Sequence, residues 1–212
     1  MVARVVALVG AESTGKSTLA RELADALRAD GLVVAEIDEY LRTFCDEHGR
    51  TPRQDEQSAI AAEQTRRIAA ARDARLLPVD VVVADTTALL TAVYSELVFG
   101  DTTLYASALA DHRQADLTLL MALDLPWVAD GLQRDGPQVQ QPVDMLLRGA
   151  LLGAGIGFSV VGGQGPQRLD HARAAWAASQ RRVPERSRNA GGWHHHCGRC
   201  SDPFCEQHLF SR

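Results

Sequence analysis

Short apolar runs alternate along the chain with longer stretches in which apolar residues recur at helical spacing. This alternation is typical of an α/β protein with a largely parallel sheet. The pattern predicts strands at Val5–Val9, Val33–Ile37, Val79–Ala84, Leu117–Leu123 and Ile156–Val161. It predicts helices at Lys16–Asp30, from about Thr51 onward, and at Gln167–Gln180.

Several residues fit the predicted ends and faces of these elements. Gly31 follows the first helix, where a left-handed residue ends a helix easily. Thr51 can cap the long helix, Pro52 suits its first turn and Gln54 completes a capping box. The third strand is almost wholly apolar, so we expect it to be buried on both faces.

Composition and charge restrict the classes of protein. Of 212 residues, 46% are hydrophobic and 23% are charged, an ordinary globular balance. The formal charge of −5 disfavours a protein that mainly coats nucleic acid. No apolar run is long enough to predict a membrane span, and no signal-peptide pattern begins the sequence, so a cytoplasmic location is expected.

One motif carries specific chemistry. Gly10-x₄-Gly15-Lys16-Ser17 follows an apolar strand and opens a helix, which is the context of a phosphate-binding loop (P-loop). Glycines let backbone N–H groups face phosphate oxygens, the lysine reaches the β- and γ-phosphates, and the serine hydroxyl binds Mg²⁺. The residues predicted to bind ATP here are Gly10, Glu12, Ser13, Thr14, Gly15, Lys16, Ser17 and Thr18.

The ends of the third and fourth strands add to this site. Asp85 ends a buried strand and is predicted to hold Mg²⁺ together with Ser17; alternatively it caps the next helix. The fourth strand leads into Asp124-Leu125-Pro126-Trp127 rather than the Asn-Lys-x-Asp of GTPases. The sequence therefore favours ATP over GTP.

The order of motifs resembles the nicotinamide-riboside kinase domain of the bacterial NAD-biosynthesis regulator NadR and related small ATPases. The resemblance spans roughly residues 5–178. The motifs that carry it are GAESTGKST from Gly10, Glu39-Tyr40-x-Arg42, Ile60-Ala61-x-x-Gln64, Asp85-Thr86 and Pro126–Leu132. It implies a three-layer α/β/α P-loop domain with a five-stranded parallel sheet, and a lid at about 127–141. It also implies phosphoryl transfer from ATP to the 5′-hydroxyl of a ribosylated small molecule, nicotinamide riboside being the family's named substrate.

Residues near the predicted strand ends are candidates for the acceptor site. Glu39 follows the second strand and is the candidate catalytic base, with Asp38 as its competitor. Arg42 could bind substrate or phosphate, and Gln64 could read a base amide. Tyr40 either stacks on a base or belongs to the core. Asp130, in the lid, is a further substrate-binding candidate, and Arg168 follows a glycine-rich turn that could wrap the adenine.

The chain departs from the family pattern at positions that matter for turnover. Thr87 replaces a carboxylate, and Gln133 stands where the lid carries arginine, with Arg134 one place later. A further lid arginine is replaced by Gln140 or Gln141. Arg134, a catalytic candidate, and Arg148 could compensate for lost stabilisation of the transferring phosphoryl group. The alternative function is a regulatory ATPase switch, and a third is a nucleotide-binding module without turnover.

The chain changes character after residue 180. Residues 181–192 are predicted to form a linker, and residues 193–212 a tail with closely spaced cysteines and histidines. Four of these residues suit a structural Zn²⁺ site, namely Cys197, Cys200, Cys205 and His208. One of His194, His195 and His196 could be the fourth ligand instead, or the tail could be unstructured. The tail could engage a protein or nucleic acid, whereas Cys45 is expected to be a small buried hydrophobe.

Overall fold

A computed structural model of the protein describes residues 2–74, 78–128 and 136–181. Its regular elements alternate along the chain, as the sequence predicts. The strands are β1 (Arg4–Val9), β2 (Val34–Ile37), β3 (Val81–Asp85), β4 (Leu117–Met121) and β5 (Ser159–Val161). The helices are α1 (Lys16–Ala29), α2 (Tyr40–His48), α3 (Gln57–Arg72), α4 (Ala88–Phe99), α5 (Tyr105–His112), α6 (Gln140–Gly153) and α7 (Pro166–Gln180).

The five strands form one parallel sheet in the order β2-β3-β1-β4-β5. Successive side chains of β1 point to opposite faces. Val6 and Leu8 pack in the same apolar cluster as α1 and α7, whereas Val9 packs with α4 and α6. The domain therefore has the expected three-layer α/β/α architecture, and β1, at its centre, is almost wholly buried.

The long central helix begins later than predicted. A 3₁₀ turn at Gln54–Glu56 precedes α3, and the Glu56 carboxylate accepts a hydrogen bond from the Arg53 backbone N–H at 2.8 Å. The predicted capping by Thr51 was wrong. Arg53 occupies the N-cap position of the 3₁₀ turn, and the carboxylate of Glu56 accepts its free backbone N–H. Within α3, Glu63 and Arg67 form the expected ion pair at 2.8 Å.

The described residues up to Gln180 make up one compact unit, and a second unit begins at Arg181. Almost all of the second unit lies outside the described residues. The four predicted zinc ligands, Cys197, Cys200, Cys205 and His208, belong to it. No helix in the described part of the chain is both long and apolar enough to cross a membrane.

Candidate active site

The loop between β1 and α1 has the geometry of a phosphate cradle. Gly15 adopts φ +77° and Ser13 adopts φ +57°, which curls the backbone over the N-terminus of α1. A side chain at Gly10 would place its Cβ 2.7 Å from the Cβ of Met121, so only glycine fits there. Lys16 is buried, and its ammonium group donates to the Ala11 carbonyl at 2.9 Å. The loop thus presents N–H groups and a cation to an anion.

Two carboxylates lie at the carboxyl ends of the neighbouring strands. Asp85 ends β3 and exposes only 4% of its surface, and no residue in the described ranges bonds to its Oδ1 atom. It does not cap α4, because the residue at the N-cap position is Thr87. A buried carboxylate oxygen without a partner is the kind of group that a cation would bind. The Asp85 carboxylate and the Ser17 hydroxyl therefore fit Mg²⁺ bound with phosphate and water.

Glu39 is the other carboxylate and immediately precedes α2. It is buried, and this burial raises the pKa of its carboxyl group. The positive charges of Lys16 and Arg42 lower that pKa, while the negative charge of Asp85 raises it. Arg42 donates to the Glu39 carboxylate at 3.2 Å and lies 3.5 Å from the Ser17 hydroxyl. The structure therefore brings together Lys16, Glu39, Asp85 and Arg42, as the sequence suggested.

Gln64 does not fit the role predicted for it. Its side-chain carbonyl accepts from the Tyr40 N–H at 2.8 Å, and its amide nitrogen donates to the Thr86 carbonyl at 3.3 Å. It exposes only 2% of its surface. Gln64 therefore connects the ends of β2 and β3, and both of its amide atoms are held by backbone groups. Tyr40 packs in an apolar cluster with Phe44, and the Arg67 guanidinium covers its ring at 4.4 Å.

Arg168 also contacts protein rather than an open adenine site. Its guanidinium donates to the Thr14 carbonyl at 2.7 Å, to the Gly163 carbonyl at 3.1 Å and to the carboxylate of Asp124. Arg168 is buried, so these acceptors replace the water that it loses. The residue fastens the P-loop to the loop after β5. Asp124 was not predicted as its partner, although a carboxylate just after a buried strand was a usable signal.

Residues at both ends of the predicted lid contact the P-loop. Trp127 and the N–H of Gly136 donate to one oxygen of Glu12, at 3.1 and 2.9 Å. Val128 donates its N–H to the Ser13 hydroxyl at 2.7 Å. Gln140, one of the two glutamines expected to replace a lid arginine, donates to the Glu12 carbonyl at 3.0 Å. The side chains of Glu12 and Ser13 are therefore acceptors for this segment.

Of the other residues predicted to act in or near the lid, only Arg148 is among the described residues. Asp130 and Arg134 lie outside the described residues. Arg148 forms an ion pair with Asp144 at 2.7 Å, so α6 already uses the cation that was suggested as compensation. No group of three or more His, Cys, Asp or Glu residues suited to a metal occurs in the described ranges. Cys45 is a buried free thiol, as expected.

The sheet order and the loop geometry define a P-loop nucleotide-binding domain. The AAA domain family matches residues 5–168, and the chain belongs to this family. No curated protein sequence matches the chain.

Two solved structures of the NadR protein share the fold. One is a complex with NAD and AMP-PNP (TM-score 0.66), and the other is a complex with NR (TM-score 0.67). Each is 19% identical to this chain and covers 84% of it. The chain spans about half the length of these NadR chains, 49% and 51% respectively. At this identity the likeness establishes the fold.

Proposed function

We propose that the protein transfers the γ-phosphoryl group of ATP to a hydroxyl group of a small ribosylated molecule. The observation that carries the proposal is the buried Glu39 carboxylate, which shares the carboxyl edge of the sheet with Lys16 and Asp85. A P-loop that only bound nucleotide would not need a second buried carboxylate there. The NadR complexes with AMP-PNP and NR support the same class of reaction.

Each residue has a distinct part in this mechanism. The loop amides and Lys16 hold the phosphates and offset the negative charge that develops during transfer. Asp85 and Ser17 would hold Mg²⁺, which would neutralise phosphate charge. Glu39 orients the acceptor hydroxyl and accepts its proton as the oxygen bonds to the γ-phosphorus, and the bond to the β-phosphate oxygen breaks to release ADP. A raised pKa makes Glu39 a better proton acceptor near neutral pH.

One observation favours a second function, a regulatory ATPase switch. A lid arginine was expected at Gln140 or Gln141, and Gln140 bonds to the Glu12 carbonyl through its amide, so neither position supplies a cation. A lid without that cation stabilises the transition state less and favours slow turnover. In this alternative, ATP binding changes the lid contacts with Glu12 and Ser13, and the tail after residue 192 binds the partner.

Steady-state assays distinguish the two functions. We expect the full chain with ATP, Mg²⁺ and a panel of ribosides to release ADP in an acceptor-dependent way. Glu39→Gln is expected to lower kcat about 10²-fold, with little change in the Kd for an ATP analogue. The control is Asp38→Asn, because Asp38 is the exposed neighbour of Glu39. Slow hydrolysis unaffected by any acceptor supports the switch, and unchanged turnover of Glu39→Gln removes Glu39 as the base.

A further inference from the structure

A cavity of about 340 Å³ lies beside the candidate active site, between α2, the segment before α3, and α4. Its volume lies at the lower end of the range for small-molecule sites. Leu41, on its wall, is two residues after Glu39, and Leu90 is in the first turn of α4, shortly after Asp85. The helices that follow the two catalytic-site carboxylates therefore form part of the walls of this cavity.

Gln57 is one of the residues that line this cavity. Gln57 exposes only 6% of its surface, and no hydrogen bond joins its side chain to another residue in the described part of the chain. Both atoms of this amide keep some contact with solvent, and a group bound in the cavity could take the place of that water. Gln64 lies two helical turns further along α3 and has both its amide atoms bonded to backbone. The contrast indicates that the amide of Gln57, unlike that of Gln64, is available to a ligand in the cavity.

The rest of the lining restricts the charge of that ligand. Leu41, Leu90, Tyr94 and Phe99 supply apolar and aromatic walls, which suit a flat ring. The one charged lining residue is Arg53, whose guanidinium is paired with Glu56 at 3.1 Å. No carboxylate lines the cavity within the described residues. A cationic ring would therefore lose water here without gaining a counter-charge.

We propose that this cavity binds the base of the acceptor, and that this base is an uncharged heteroaromatic ring with an amide edge that pairs with Gln57. The edge has an N–H next to a C=O, which match the carbonyl and NH₂ groups of the glutamine. This specificity rests on the proposed function, since the ribose attached to such a base would extend toward Glu39. The proposed site therefore prefers an uncharged base to the pyridinium cation of nicotinamide riboside.

Binding measurements test the specificity separately from turnover. Isothermal titration in the presence of Mg²⁺ and a non-hydrolysable ATP analogue would compare three probes. Inosine is uncharged and has the amide edge, purine riboside is uncharged and lacks it, and nicotinamide riboside is a cation. We expect inosine to bind at least tenfold more tightly than either of the others.

Variants of Gln57 give the sharper test. Gln57→Leu is expected to weaken inosine binding about tenfold and to change purine riboside binding less than twofold, because the second probe never used the amide. Gln57→Glu adds a counter-charge of nearly the same shape, so it should weaken inosine and strengthen nicotinamide riboside, reversing the order. The matched control is Gln180→Leu at the end of α7, which should leave all three affinities unchanged. Circular dichroism would confirm that each variant is folded.

The outcomes separate the two proposals. Gln57-dependent binding of inosine without phosphorylation would retain the base site and refute the kinase. Phosphorylation of nicotinamide riboside in preference to inosine, with no effect of either Gln57 variant, would retain the kinase and overturn this base site. Equal binding of inosine and purine riboside to the wild-type protein would also overturn it, because the amide edge would then contribute nothing.

Discussion

Replacing Arg168 by methionine tests how the P-loop is held in place. Methionine keeps much of the apolar stem of the side chain but removes all three hydrogen bonds of the guanidinium. The Thr14 carbonyl then loses its charged donor, and water cannot easily replace that donor because Thr14 is only 1% exposed. The same substitution releases the loop that contains Gly163. The variant therefore removes a connection between two loops and leaves most of the packing intact.

The size of the effect follows from which of these bonds are buried. An unsatisfied buried carbonyl costs about 1–3 kcal/mol, and the loss of the bond to Gly163 adds about 1 kcal/mol. The ion pair with Asp124 adds little, because the Asp124 side chain is 37% exposed and is screened by water. We therefore expect the free energy of unfolding to fall by about 2–4 kcal/mol. For a domain of this size that corresponds to a decrease in Tm of roughly 5–15 °C.

The same helix provides the control. Arg173 pairs with Asp30 at 3.0 Å, but both side chains are 47% exposed. Arg173→Met is expected to cost less than about 1 kcal/mol. Urea unfolding followed by circular dichroism would measure both variants, and titration with a fluorescent ATP analogue would show whether the loosened loop binds nucleotide less tightly. If the two variants lost the same stability, or if Arg168→Met bound nucleotide like the wild type, Arg168 would not position the P-loop.

Two further predictions concern a buried histidine and a close backbone contact. His112 is buried, which lowers its pKa to about 4, so the unfolded chain takes up the proton first as the pH falls below 6.5. Stability should decrease by about 3 kcal/mol between pH 6.5 and 4, measured by urea midpoints, and parallel curves for wild type and His112→Gln would contradict this. Gly10→Ala should cost about 1–3 kcal/mol because of its contact with Met121, whereas Gly149→Ala, with open space around it, should gain roughly 0.5–1 kcal/mol. Thermal unfolding compares these two, and equal effects would refute the steric argument.

The parts of the fold that could be predicted are those whose sequence pattern depends on local geometry. The P-loop is one, since its glycines, its lysine and its serine are each required by a backbone conformation or a ligand group. Ala88–Phe99 was not predicted as a helix, because it lacks a distinct polar face. It packs against α3, α5 and α6, so apolar residues occur around its circumference. Strand β5 is shorter than predicted because Ile156 and Phe158 pack beside α6 before the strand begins.

In the site, too, some residues could be predicted from local sequence and others depend on the residues that pack around them. Lys16, Glu39 and Asp85 follow or begin regular elements at one edge of the sheet, and a parallel topology brings such positions together. Gln57 and Gln64 could not be distinguished in this way, because they are the same residue type on the same helix. Their roles depend on which groups from other elements lie opposite each amide. Only Gln64 has the ends of β2 and β3 next to it.

Burial, ahead of any single charge, is the main reason that Glu39 would suit the proton transfer proposed for it. Lys16 lowers its pKa and Asp85 raises it, and both of these residues would face new charges once a nucleotide and a cation were bound. Phosphates would draw on the positive charge of Lys16, and a cation at Asp85 would offset the negative charge there, so the two changes act on Glu39 in opposite directions. Burial is the largest cause of the raised pKa and comes from the fold around the start of α2. The basicity of Glu39 is thus built into the domain before any ligand arrives.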